Sequence, residues 1–180
     1  MDAGIISTRY ARALFSLALE KGQETRLYDD MKMLADSFIL EPGLKTALDN
    51  PILSRKEKEQ LLTSAAGIEV CELYIRFIKL VLRHKRESRL LFIAHIYIHM
   101  YRKEKKITRV QFNTAVPVNE EIKTHLKARL SEKIEGDIEF TGNIQPELTG
   151  GFILRIGNYR IDASFTAQLR DIRKQLLTVK

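Results

Sequence analysis

Tryptophan is absent from this chain, and cysteine occurs once, at Cys71. One thiol cannot close an intramolecular disulfide or supply the repeated cysteine ligands of a structural zinc site. A reducing compartment is the simple reading, with Cys71 a small buried hydrophobe inside a helix. Long apolar runs are missing too. No stretch approaches about 18 uninterrupted apolar residues, so no membrane-spanning helix is expected. The opening "MDAGIISTRY" has an acid at position 2 and no basic region ahead of an apolar one, so it does not read as a secretory signal. Nucleotide and catalytic fingerprints are likewise lacking: there is no G-x-x-x-x-G-K-[ST], no G-x-G-x-x-G, no G-x-S-x-G and no plausible Cys–His nucleophile pair. No catalytic residue, cofactor or metal ligand is assigned.

What remains is 180 residues, 44% hydrophobic and 29% charged, enough for one large domain or two small ones around a real core. The net charge of +7 makes nucleic acid, acidic lipid or an acidic protein conceivable partners. Its distribution weakens the first of these. Residues 1–105 carry 18 basic and 14 acidic side chains and residues 106–180 carry 12 and 9, giving +4 and +3 with no polybasic block.

The period of the apolar residues changes near residue 105, which places a domain boundary there: 1–105 and 106–180. Before it the spacing is helical. A first helix runs from about Ile5 to Lys21 and stops at Gly22; a second, about Gln23 to Leu40, aligns Leu27, Met31, Leu34 and Phe38 and ends before Pro42. A short helical turn near Leu44 to Leu48 precedes the break at Asn50-Pro51. Ser54 and Glu57 form the S-x-x-E capping box of a helix reaching about Ala66. Two more helices cover about Val70 to Lys85 and Glu87 to Lys105. Six helical pieces joined by short turns predict an antiparallel bundle.

Two of these helices carry more apolar surface than one core contact needs. At about 100° per residue, the apolar positions of the first helix sweep roughly 240° of arc, leaving only Arg9, Arg12, Ser16 and Glu20 as a polar strip. In the helix from Val70, Glu72, Arg76, Lys79 and Arg83 share one narrow strip, while Leu73, Phe77, Ile78, Val81 and Leu82 lie elsewhere. Either both helices are sandwiched between neighbours, or they leave an apolar groove for a partner helix. In the helix from Glu87, His95 and His99 are spaced i, i+4, but "HIYIH" lacks the glutamate of H-E-x-x-H and has no third ligand; the pair marks a solvated stripe.

From residue 107 the period alternates. Val110, Phe112, Thr114 and Val116 make a half-buried strand, Asn119 caps a helix with Ile122, Leu126 and Leu130 on one face, and "DIEFTGNI" is a second strand. In "TGGFILRIGNYRIDAS" (149–164), Phe152, Leu154 and Ile156 point one way and Ile153 and Arg155 the other. Gly157-Asn158 is a hairpin turn, Tyr159 and Ile161 carry the return strand, and Asp162 or Ser164 caps a last helix in which Phe165, Leu169, Ile172 and Leu176 share a face. The order strand, helix, strand, strand, strand, helix is a small α/β layer, making the whole chain α+β. A phosphate cradle would open a helix, whereas Gly150-Gly151 opens a strand. An RNA-reading strand would bring further aromatics and a leading basic residue. The glycine pair therefore reads as a tight structural corner.

Three stretches together resemble one family. "RYARALFSLA" at 9–18, "LDNPILSRKEKEQLL" at 48–62 and "LTGGFILRIGNYRIDASFTAQLRDIRKQL" at 148–176 look, in order and spacing, like the δ subunit of bacterial F-type ATP synthases and its mitochondrial relative, the oligomycin-sensitivity-conferring protein. The resemblance covers nearly the whole chain. It departs at "RHKRESRL" (83–90), which is more basic than the family's turn at that place. It implies a six-helix bundle followed by an α/β domain, and a non-catalytic role in the peripheral stalk that keeps the catalytic head from turning with the rotor. It further implies that the bundle grips N-terminal helices of the synthase's α subunits, one of them in a groove between the first and fifth helices. The second domain would meet the C-terminal ends of the b subunits, and the complex would place the chain on the cytoplasmic face of the bacterial inner membrane. Under that reading the groove alternative is preferred over sandwiching, with Tyr10, Ala13, Leu14, Leu17, Ile78, Val81 and Leu82 as groove residues. Gly150, Gly151, Arg155, Gly157, Asp162 and Ser164 are carried from the C-terminal signature as structural positions. The competing class is a basic RNA- or DNA-binding module, which would lose affinity steeply with salt.

Overall fold

Six α-helices precede the first strand in the computed structural model, which describes residues 2–132 and 134–178. They are α1 (Asp2–Glu20), α2 (Glu24–Leu40), α3 (Pro42–Asp49), α4 (Arg55–Ala65), α5 (Glu72–Arg83) and α6 (Leu90–Glu104), with a 3-10 turn at Glu87–Arg89 leading into α6. Their ends follow from local chemistry. Gly22, at φ 63°, closes α1: its own N–H donates to Leu19 O and the Gln23 N–H donates to Ala18 O, the paired bonds of a Schellman motif. Ser54 Oγ accepts from the Glu57 N–H at 3.3 Å and Glu57 Oε2 accepts from the Ser54 N–H at 2.7 Å, completing the expected capping box of α4. Hydrogen bonding of the Glu57 carboxyl with Ser54, its side chain first and then its backbone N–H, holds that carboxyl below its ordinary range. The fifth helix starts later than its apolar pattern suggests. Cys71 lies outside the helix as its N-cap, with Sγ accepting from the Tyr74 N–H at 3.4 Å, so it is a half-buried capping residue and not a core hydrophobe.

The chain folds as two compact units with their boundary between Lys103 and Glu104. In the first, α5 packs most closely on α4, and α2 touches α1, α3, α4 and α5. Its interior holds Ala11, Phe15 and Ala18 of α1, Leu27, Met31 and Leu34 of α2, Tyr74, Ile78 and Val81 of α5, and Leu90, Ile93 and Tyr97 of α6. His95 and His99 are exposed, as a solvated stripe on α6 requires.

The second unit comprises β1 (Thr108–Thr114), α7 (Glu120–Ser131), β2 (Ile138–Ile144), β3 (Phe152–Ile156), β4 (Tyr159–Asp162) and α8 (Phe165–Thr178). The sheet order is β2-β1-β3-β4. β1 pairs with β2 in parallel, Val110 opposite Phe140, which requires the crossover that α7 provides. β1 and β3 are antiparallel, Phe112 opposite Leu154, and β3 and β4 form a hairpin, Leu154 opposite Ile161. Leu126 and Leu130 of α7 pack on Val110, Phe112 and Leu154. Two expectations fail here. Ile122, predicted to share that inner face, is more than half exposed, and so are all four apolar residues predicted to align on α8: Phe165, Leu169, Ile172 and Leu176. Among the described side chains of α8, only Ala167 near its start is buried.

Candidate functional site: an apolar groove between α1 and α5

At about 100° per residue, α1 carries two apolar stripes rather than one broad one. Ala11, Phe15 and Ala18 form the stripe that faces the interior, where the Phe15 and Tyr97 rings meet edge-on at 5.5 Å. Tyr10, Ala13, Leu14 and Leu17 form the second, which lines a cavity of about 360 Å³ with Arg9 and Lys21. Leu14 belongs to both, being almost fully buried while it lines the cavity. The other wall is α5, through Leu73, Arg76, Phe77 and Leu80. Tyr10 and Phe77 join the walls edge-to-face at 6.4 Å, and the Arg86 guanidinium sits over the Tyr10 ring at 5.8 Å.

The α1 residues expected to line a groove therefore do so, but the α5 residues do not. Ile78 and Val81 have no exposed surface and Leu82 almost none; neither Ile78 nor Val81 lines the groove, and Leu82 borders a separate pocket beside Lys58 and Glu87. The cause is helical phase: Tyr74, Ile78 and Val81 lie roughly 100° round the helix from Leu73, Phe77 and Leu80. The signal was present in the spacing Leu73, Phe77, Leu80 (i, i+4, i+7), yet both stripes of α5 are apolar, so hydrophobicity alone does not say which faces inward.

The walls are held from behind by buried polar contacts. Tyr74 Oη donates to Leu62 O at 2.7 Å, satisfying a carbonyl in the last turn of α4 that no helical N–H reaches. Burial raises the Tyr74 phenol, so it stays protonated and able to donate. The buried Asp30 of α2 accepts the Cys71 N–H at 3.0 Å at the start of α5. Burial first, then the neighbouring Asp30, pushes the Cys71 thiol up to about 11, which makes it a poor nucleophile. Among the described residues, no group of three or more His, Cys, Asp or Glu is placed to hold a metal ion.

Four of the six signature residues of the second unit, Gly150, Gly151, Asp162 and Ser164, meet at one junction. Gly151, at φ 78°, lies so close to the backbone of Ala163 and Ser164 that a Cβ there would collide with both, and a Cβ on Gly150 would strike the Phe165 ring at 2.5 Å. The Phe165 N–H donates to Gly150 O at 3.1 Å and the Ala163 N–H to Phe152 O at 2.9 Å. Asp162 Oδ1 accepts from Ser164 Oγ at 2.7 Å and from the Ser164 N–H at 3.2 Å, while Asp162 Oδ2 takes Arg160 at 2.8 Å. These bonds, those from Ser164 foremost, hold the Asp162 carboxyl below its ordinary range. Ser164 Oγ in turn accepts the Ala167 N–H at 3.2 Å and so caps α8. Gly157 turns the β3–β4 hairpin at φ 54°. Arg155 stands exposed on the polar face of β3, opposite Gln111 and Arg160, apart from the junction. The glycine pair is a corner where strand and helix backbones touch, with no space for a phosphate.

Comparison with known proteins gives one consistent result. The family described as ATP synthase delta (OSCP) subunit matches residues 6–176. A curated relative named ATP synthase subunit delta, from Parabacteroides distasonis, is 67% identical over 98% of this chain and 98% of its own. Another of the same name, from Phocaeicola vulgatus, is 44% identical over 98% of this chain and 96% of its own. In a cryo-EM structure of the Toxoplasma gondii mitochondrial ATP synthase hexamer, one chain shares the fold at a TM-score of 0.69. It is 22% identical, and the match covers 97% of this chain and 98% of that one.

Proposed function

Since the chain belongs to the ATP synthase delta (OSCP) subunit family and is therefore a non-catalytic component of the peripheral stalk, we propose that its α1–α5 groove is the seat of an N-terminal helix of a synthase α subunit. In this reading α1 to α6 form an antiparallel six-helix bundle, residues 1–105 hold the catalytic head, and residues 106–180 hold the C-terminal ends of the b subunits. The chain then works on the cytoplasmic face of the bacterial inner membrane as a torque-bearing joint. Among the described residues no helix is long and apolar enough to cross a membrane, so membrane attachment would come through the complex.

The observation that carries the reading is the groove itself: two helix walls offering an apolar strip to solvent, lined by Leu17 and Leu80 at 38% and 44% exposure. Burial of such surface by an amphipathic helix supplies affinity at about 25 cal/mol per Å² before ordering costs. For the second unit, the support is the uncovered apolar face of α8, flanked by Arg170 and Arg173. The test is calorimetry of the whole chain with the N-terminal peptide of the same organism's α subunit. The expected result is saturable one-to-one binding with a negative heat-capacity change that persists at physiological salt. Absence of binding by a folded chain would refute the groove assignment.

A further inference from the structure

The lining of the α1–α5 groove contains three cations, Arg9, Lys21 and Arg76, and no acid. Arg76 is already engaged by Glu72 at 2.5 Å on its own helix. Arg9 and Lys21 are exposed, and no side-chain hydrogen bond or ion pair is found for either among the described residues. They stand at opposite ends of the strip formed by Tyr10, Ala13, Leu14 and Leu17. Twelve residues at 1.5 Å each put them about 18 Å apart along the axis, a little over three helical turns; Lys21 is in line with the strip, and Arg9 starts about 100° from Tyr10 and reaches the groove from its flank by its long arm.

We propose that Arg9 and Lys21 set the axial register of the bound helix by meeting two carboxylates spaced eleven residues apart on it. This rests on the groove being a helix seat, and it names the chemistry of the occupant: an amphipathic helix whose apolar face spans about three turns and is closed at each end by an acid. The spacing follows from geometry. Residues i and i+11 of an α-helix lie on the same side to within about 20° and about 16 Å apart, a separation that the long arms of arginine and lysine can match. Each pair is solvent-exposed, so it adds little affinity alone. A helix shifted by one turn, however, carries both carboxylates about 5.4 Å away from their cations, and a helix with basic ends places like charges together.

The experiment uses the full chain and four designed helical peptides with one shared apolar face. They carry Glu at i and i+11, Gln at both, Lys at both, or Glu at i and i+7. At low salt the Glu i, i+11 peptide should bind about three- to tenfold more tightly than the Gln peptide, and the gap should close as salt screens the pairs. The Lys peptide should bind more weakly than the Gln peptide, and the Glu i, i+7 peptide should forfeit part of the gain. In the Arg9→Glu, Lys21→Glu chain, with both positions exposed and the fold unaffected, the order of Glu and Lys peptides should invert. Equal binding of the Glu and Gln peptides, or an equal gain at i, i+7, would overturn the register while leaving the groove as a helix seat. If no peptide binds the wild-type chain, the helix seat fails and the register fails with it.

Discussion

Truncating Leu17 and Leu80 together should weaken binding of the proposed α-subunit helix by a predictable amount. In the free chain the two side chains leave 38% and 44% of their surface open, together a little over four-fifths of one leucine. Full burial of a leucine is worth about 1.5–3 kcal/mol, so the double Leu17→Ala, Leu80→Ala change should cost roughly 1.2–2.5 kcal/mol of binding. That is about 7- to 60-fold in Kd at the usual tenfold per 1.4 kcal/mol. The covered remainder of each side chain will also cost the fold something, so calorimetry must be run well below the thermal transition of the variant. Ile78→Val supplies the control. It removes a methyl from a fully buried position off the groove, and should cost about 0.5–1.5 kcal/mol of stability with Kd unchanged. The reasoning is refuted if the Leu17/Leu80 variant, folded by circular dichroism, binds within twofold of wild type, or if Ile78→Val weakens binding as much.

Three further changes probe the scaffold. Ser54→Ala removes the Oγ that accepts the Glu57 N–H while leaving the residue-54 N–H to donate to Glu57 Oε2, and should lower stability by about 1 kcal/mol in urea titration; no change in midpoint would mean the cap is already compensated by solvent. Gly151→Ala forces a Cβ into the backbone at Ala163–Ser164 with φ at 78°, and should destabilise the second unit by more than about 1 kcal/mol, read by hydrogen exchange of the β3 and β4 amides; protection equal to wild type would refute the close approach. Glu57 and Asp162 have folded-state values below their ordinary 4.5 and 3.8, so each contributes stability that is fully present above those values and lost as pH falls through the lower folded ones. Thermal midpoints should therefore decline below about pH 4.5, and Asp162→Asn should flatten the part of that decline belonging to the second unit; an unchanged slope would argue against the Ser164 bonds as its source.

Much of the fold was legible because its punctuation is chemically explicit. Gly22, Ser54 with Glu57, Asn119 and Gly157-Asn158 each mark an end or a turn whose bonds are found where expected. The wrong readings share a cause. Cys71 and Ile122 are apolar residues in helical phase, and phase says only that they could be covered, not that a neighbour is there to cover them. The exposed face of α8 is the same case on a larger scale, since its spacing is that of a packed helix and yet its four aligned apolar residues are each more than half exposed. For the groove, the sequence showed that α1 and α5 carry too much apolar surface for one contact, which was correct, but could not say which α5 stripe points outward. That choice is made by Tyr74 and Asp30, through a carbonyl and an N–H that belong to other positions in the chain.

Those same contacts bear on how a joint of this kind could hold under load. A groove whose walls must be ordered by the ligand pays for that ordering out of its binding free energy. Here the start of α5 is fixed from behind by two contacts. Asp30 holds its N-cap through the Cys71 N–H, and Tyr74 in its first turn donates to the buried Leu62 carbonyl in the last turn of α4. α1 is set against α6 by Phe15 and Tyr97, while Tyr97 Oη donates to Glu24 O at the head of α2 at 3.2 Å. The apolar strip is thus built on helices whose inward stripes are already satisfied, so the incoming helix need only bury the outward ones. Rigid-body docking is the expectation that follows. Torque transmitted through the bound helix would then be resisted by the packed interior behind the groove, and the exposed cations at its ends would oppose axial slip without adding much to the affinity.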